Sequence, residues 1–226
     1  MAPVVVLSLQ VKLSDPPRSL RHGGGRDFSG SVRSKGFRAY VALCAFAGLR
    51  KGEAAAVQVG DIDFLRRQLS VSRQLQRDGS DYAIRPPKYG SERVVYLPDE
   101  LVTILSEHVA THLDDADPGR WLFTVDDEPM YDNAITWRWR ASRNAAKLPH
   151  VRLHDLRHFY ASGLIAAGCD VVTVQRALGH STATTTLNTY SHLWPTAEDR
   201  TRAAASGLMR EALRMSEPSL RSDLQY

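Results

Sequence analysis

Six side chains in four short patches have the types and spacing to work on a phosphate. The first patch is AGLRKGEAA, residues 47–55. Arg50 stands where a helix begins after Gly48, at the end that favours anions over cations. That mismatch suits a bound anion such as a phosphate. Glu53, three residues on, reaches the same face and can orient the guanidinium; a plain surface ion pair is the competing explanation. The second patch, RPPKYGSERVV at 85–95, sets Lys88 in a turn between strand-like runs, exposed and able to swing in as a proton donor or phosphate contact. The third, RLHDLRHFY at 152–160, puts His154 and Arg157 on one helical turn. His158 lies one turn from His154, which invites a metal. The zinc-protease helix needs a glutamate base in H-E-x-x-H, and here Asp155, Leu156 and Arg157 intervene. No metal is therefore expected, and His158 and Tyr160 read as structural. In the fourth, ALGHSTATTTLNTYSHL at 177–193, Gly179 stops a helix, His180 stands just past the stop, and Tyr190 follows.

Together the patches supply two arginines, a lysine, two histidines and a tyrosine, without a carboxylate pair, a glycine-rich phosphate loop or a metal cluster. Phosphoryl transfer needs negative charge stabilised on the non-bridging oxygens. Without a metal, guanidinium and imidazolium groups must supply that stabilisation, and arginine's planar fork suits it. A tyrosine hydroxyl can attack phosphorus and leave a 3′-phosphotyrosine ester. Its ordinary pKa of about 10 keeps it protonated at neutral pH, and nearby cations are expected to lower that value. The leaving 5′-oxygen needs a general acid, a role open to Lys88. Covalent attachment stores the bond energy, so no nucleotide cofactor is required.

These groups must be positioned by a mostly helical chain. FRAYVALCAFAG has helical spacing and stops at Gly48; KGEAAAVQV reads as a second, shorter helix. The period then changes. QLSVSRQL, DYAIRPP and ERVVYLP are short strand-like runs split by turns, which predicts a small three-stranded antiparallel sheet. Helices return with DELVTILSEHVATHL, where Asp99 is a candidate N-cap. They continue through DNAITWRWRASRNAAK, HDLRHFYASGLIAAG, VVTVQRALG, TATTTLNTYSHL and a last helix over about 196–214. The expected class is α+β, mostly α. Residues 1–32, with paired prolines and GGG, read as a mobile or remnant segment; 33–215 form the domain and 216–226 a polar tail.

The bulk composition is permissive. Lys plus Arg outnumber Asp plus Glu by 29 to 25, a net +4 that allows binding to a polyanion without demanding it. Cys44 and Cys169 sit in apolar helical patterns and read as buried thiols of a reducing cytosol, so a cytoplasmic protein is expected. No segment has the length of a membrane span, and the start lacks the features of a secretory signal. The helix WRWRASRNAAK offers Arg138, Arg140 and Arg143 as candidate DNA-backbone contacts, with Trp137 and Trp139 expected to differ in exposure.

GLRKGE, PPKYGSERVVYLP, LHDLRHFYAS, ALGHST and TYSHL, in this order, resemble the catalytic domain of the tyrosine recombinases of the phage-integrase type, over residues 35–212. The resemblance implies that Arg50 and Arg157 clamp the scissile phosphate and that His154 and His180 assist with proton transfer and phosphate contacts. It implies Lys88, on a hairpin turn, as general acid, Tyr190 as nucleophile and Glu53 as support for the first arginine. Double-stranded DNA is the implied partner, with a monomer off DNA and a homo-tetramer on paired sites, and with the last helix a candidate for exchange between protomers. No cofactor is implied. Members usually carry a helical core-binding domain ahead of this one, and residues 1–32 are too few for it. The isolated chain is therefore expected to hold DNA weakly. A type IB topoisomerase-like strand transferase and a catalytically silent DNA-binding fragment are the alternatives.

Overall fold

The computed structural model describes residues 36–113, 117–195 and 197–215. The expected N-terminal segment 1–32 and tail 216–226 lie outside the described residues.

The core is organised around helix α1 (Phe37–Phe46), of which every residue from Phe37 to Ala45 except Arg38 is buried. A helix apolar on all sides belongs inside a fold rather than on its surface. It packs against α2 (Lys51–Ala55), α3 (Asp99–His112) and α5 (Leu153–Ala166). Chain reversal after α1 needs Gly48, whose φ is +64°, and a Cβ there would meet the Tyr160 ring at 2.4 Å. This close approach matters below, because the Gly48 carbonyl serves the site.

The sheet forms differently from the sequence expectation. Strands β1 (Ile62–Asp63), β2 (Gln68–Val71) and β5 (Arg93–Tyr96) make the three-stranded antiparallel sheet, in the order β1-β2-β5. Leu69 pairs with Val95, and both face the core. The run QLSVSRQL splits, its second half becoming β3 (Gln74–Asp78), which pairs only with β4 (Asp81–Arg85) as a separate hairpin. Class and antiparallel sense hold; the partner of DYAIR does not. A two-residue hairpin, β6 (Thr124–Val125) with β7 (Glu128–Pro129), precedes α4 (Asp132–Ala145).

Helix α3 begins at Asp99, with Pro98 rather than Asp99 in the cap position. The acidic Asp99 and Glu100 still sit in its first turn, where the helix dipole favours them. Helices α6 (Val171–Leu178) and α7 (Ala183–Tyr190) pack together, and α6 also touches α5 and β5. The Asp170 carboxylate caps α6 by accepting from the Val172 and Thr173 amides. Ala161, Ile165, Val174, Leu178 and Tyr190 form a second, smaller core under α5, α6 and α7. Helix α8 (Ala197–Met215) closes the described chain, with Leu208 and Met209 strongly exposed. None of the described helices is long and apolar enough to cross a membrane.

Candidate active site

Arg50 immediately precedes α2, in extended backbone. The Glu53 carboxylate accepts from the Arg50 amide at 2.9 Å and from its Nη1 at 2.7 Å. Nη1 also donates to Ser91 Oγ, and Nη2 to the Gly179 carbonyl at 3.3 Å. Glu53 is no surface partner: it is 1% exposed. Burial alone would raise its pKa, but hydrogen bonds and charge from Arg93 and then Arg50 overcome that and hold it at about 2. The carboxylate is thus ionised and fixes the first arginine.

Arg157 projects from α5 into the interior, 2% exposed. Its Nη1 donates to the Gly48 carbonyl and its Nη2 to the Leu178 carbonyl, each at 2.5 Å. The ends of α1 and α6 therefore hold this guanidinium between them. Burial, then the charge of Arg50, lowers its pKa to about 9. That is still above neutrality, so the group stays cationic.

His180 follows Gly179, which ends α6 at φ +62°. Its Nδ1 lies 2.9 Å from Thr186 Oγ1 on α7, leaving Nε2 as the ring nitrogen available to a ligand. Burial first, then Arg157, Arg50 and Arg93, lowers its pKa to about 4. His154 lines the same cleft and is lowered too, by burial and then by His158 and Arg157.

Tyr190 is 4% exposed; it belongs to the small core and also lines the cleft. The expected lowering of its pKa does not occur. Burial raises it and outweighs the opposing charge of Arg157. The hydroxyl lies 2.7 Å from Nδ1 of His158. The two rings meet nearly edge to face, 5.6 Å between centroids, and His158 meets His154 in the same way at 4.8 Å. His158, read from the sequence as structural, lines the cleft with its ring against the phenol.

Arg50, His154, Arg157, His180 and Tyr190 thus line one cleft of about 420 Å³, together with Tyr89, His158, Ser181, Thr185 and Thr189. Lys88 is not among the lining residues. It sits exposed on the 3-10 turn Lys88–Gly90, and its neighbour Tyr89, 82% exposed, faces the cleft instead. Among the described residues no group of three His, Cys, Asp or Glu is placed to hold a metal ion.

Arg93 is a further residue of this site that sequence patterning passed over. Its Nη2 donates to Glu53 Oε2 at 2.9 Å, its Nη1 to Oε1 at 3.3 Å, and its Nε to the Ala177 carbonyl. It ties β5 to the acidic support of Arg50 and to the end of α6 from which His180 hangs. The signal was present in ERVVYLP. Strand alternation puts Arg93 on the inward face with Val95.

The three arginines of α4 do not act as a set. Arg138 is 7% exposed and directs Nη1 to Met130 Sδ. Arg143 donates to the Val151 carbonyl. Arg140 alone is exposed. Arg140 is open to solvent, whereas Arg138 is shielded by its own packing. Trp137 is 56% exposed and Trp139 buried, the difference expected of the pair.

A model of the phage integrase family matches residues 27–196. A tyrosine recombinase XerC-like protein of Caldanaerobacter subterraneus is 27% identical over 187 residues, which cover 73% of this chain and 48% of the relative. A putative prophage phiRv2 integrase of Mycobacterium tuberculosis is 30% identical over 162 residues, covering 69% and 42%. The chain spans less than half the length of these relatives. Among solved structures, the Tn1549 transposon integrase in complex with a circular intermediate DNA superposes with a TM-score of 0.66 at 24% identity, over 90% of this chain and 63% of that one. The XerH site-specific recombinase bound to its difH substrate gives 0.57 at 19%, over 91% and 51%. Both likenesses concern the fold.

Proposed function

The chain belongs to the phage integrase family, and we propose that it carries the catalytic domain of a site-specific DNA recombinase that works through a 3′-phosphotyrosine intermediate. The observation that carries this reading is the convergence of Arg50, Arg157, His154, His180 and Tyr190 on one cleft. Two fixed guanidinium groups contact the non-bridging oxygens of the scissile phosphate and offset the charge that grows there. The Tyr190 oxygen attacks phosphorus, a tyrosyl ester forms, and the bond to the 5′-oxygen breaks. His180 Nε2 and His154 add contacts or protons at the phosphate. Lys88 protonates the leaving 5′-oxygen by swinging its long stem in from the 88–90 turn. Rejoining reverses these steps with a new 5′-hydroxyl. No external energy source enters, since the ester preserves the bond.

Double-stranded DNA is the partner this reading requires, with a monomer in its absence and a tetramer on paired sites. The exposed Leu208 and Met209 of α8 give a neighbouring protomer an apolar face to cover. The test is covalent trapping. Nicked suicide duplexes, selected from a randomised pool for binding to the chain, should yield a protein–DNA adduct that Tyr190→Phe abolishes. An adduct formed equally well by that variant would remove Tyr190 from the reaction.

A further inference from the structure

We propose that His158 is the base that takes the phenol proton of Tyr190 as its oxygen attacks the phosphate. This rests on the reading of Tyr190 as nucleophile and supplies the step that reading leaves open. Something must accept a proton, because a phenol buried in the small core does not ionise unaided near neutral pH. The Tyr190 hydroxyl and His158 Nδ1 are already 2.7 Å apart, inside the range of a strong O–H···N contact. The pairing is non-local, 32 residues apart in sequence, and it joins α5 to the end of α7. His154, the other histidine of the same helix, meets the His158 ring rather than the phenol.

The surroundings keep His158 able to accept. Burial lowers its pKa, the Asp155 carboxylate opposes this, and Arg152 and Arg157 lower it further. His154 on α5 and Tyr190 on α7 are the other titratable groups in ring contact with it. The lowered pKa keeps the imidazole neutral at pH 7, and the proposed role requires its proton on Nε2 and the Nδ1 lone pair toward the phenol. In cleavage, the Tyr190 O–H bond breaks and its proton passes to Nδ1. The phenolate oxygen bonds to phosphorus, and the 5′-oxygen departs with a proton from the acid. The imidazolium so formed is stabilised by Asp155. In rejoining it returns the proton to the departing tyrosyl oxygen.

Two measurements test this. In the DNA-free chain, nitrogen-15 spectra of the His158 ring should show the tautomer protonated on Nε2; protonation on Nδ1 would overturn the proposal, since that nitrogen could not accept. On the suicide duplex, His158→Ala and His158→Gln should both slow adduct formation by about 100-fold or more near neutral pH. Their rates should climb about tenfold per pH unit as hydroxide ionises the phenol directly, while the wild-type rate levels off above the pKa of His158. Glutamine can keep the hydrogen bond but cannot take the proton, so restored activity in His158→Gln would mean positioning alone and would overturn the proposal. Wild-type rates and pH profiles in both variants, with the adduct still lost in Tyr190→Phe, would overturn it while leaving the nucleophile reading intact. No adduct from the wild-type chain, or one that survives Tyr190→Phe, would overturn both.

Discussion

Glu53 and Arg93 form a buried ion pair, Oε2 to Nη2 at 2.9 Å, with side chains 0% and 6% exposed. The pair lies behind Arg50, so a surface-looking i,i+3 contact is the visible edge of an internal network. Breaking a buried pair by removing one charge typically costs about 3–5 kcal/mol, because the other charge is left uncompensated. Glu53→Gln should therefore lower stability by several kcal/mol at pH 7 and also release Arg50. The carboxyl sits at about 2 when folded, against 4.5 for the ordinary group. The folded pKa is depressed, so its contribution is present in full above 4.5 and fades as the pH falls toward 2. The shift corresponds to about 3 kcal/mol at 1.36 kcal/mol per unit. Urea titrations at a series of pH values should show the wild-type advantage over Glu53→Gln shrinking through that window. A gap that stays constant with pH would mean the pair is not ionised as described.

How far the sequence disclosed this arrangement depends on the range of each interaction. Arg50 with Glu53, and His154 with Arg157, are neighbours on one helical turn and were legible from spacing alone. The mostly helical class followed from apolar periodicity and from stops at Gly48 and Gly179. The sheet was only half legible. Each strand shows in its own residues, but the pairing of β2 with β5 skips the β3–β4 hairpin, and local patterning holds no trace of that jump. The contact of His158 with Tyr190 was hidden for the same reason, since the two lie 32 residues apart with a helix between them. Arg138 was hidden differently: an arginine in a basic helix reads as exposed, whereas the fold leaves it 7% exposed and turns its Nη1 to Met130.

Gly179 should tolerate no side chain. Its φ of +62° disfavours any L-residue, and an added Cβ would meet the Arg93 guanidinium at 2.8–3.1 Å. Backbone strain costs about 1–2 kcal/mol. Displacing Arg93 from Glu53 adds to that and moves His180. Gly163, inside α5, is the control, because a methyl added there would meet nothing within 4 Å. Alanine at that position should gain up to about 1 kcal/mol from helix propensity. Chemical denaturation of Gly179→Ala and Gly163→Ala should thus move in opposite directions. Equal stabilities would argue against a tight fit at Arg93.

DNA binding should distinguish Arg140 from Arg138. If Arg140 contacts a phosphate, Arg140→Ala should weaken binding uniformly across sequences and reduce the slope of log affinity against log salt by about 1. Arg138→Met should leave that slope unchanged, because the guanidinium is turned to Met130 and its Nε has no hydrogen-bond partner. Burial already lowers the Arg138 pKa. An apolar side chain of similar length removes an unsatisfied polar group and should not lower stability by much. A changed salt slope in Arg138→Met would mean that α4 repacks on DNA.

His180 gives the site a titration that reports on its anion. Its pKa is held at about 4, against an ordinary 6.5, by burial first and then by Arg157, Arg50 and Arg93. Because the folded value is depressed, the group's contribution to stability is present in full above 6.5 and is lost as the pH falls toward 4. A phosphate seated between Arg50 and Arg157 would bring negative charge against those three cations. It should raise the His180 pKa toward its ordinary value. Following the ring proton of His180 by NMR, with inorganic phosphate and with chloride at equal ionic strength, should show an upward shift in phosphate alone. The shift should disappear in Arg50→Ala, which removes one arm of the clamp while Thr186 still holds the imidazole. A resonance that phosphate does not move would place the anion away from the arginines and separate His180 from the phosphate it is proposed to serve.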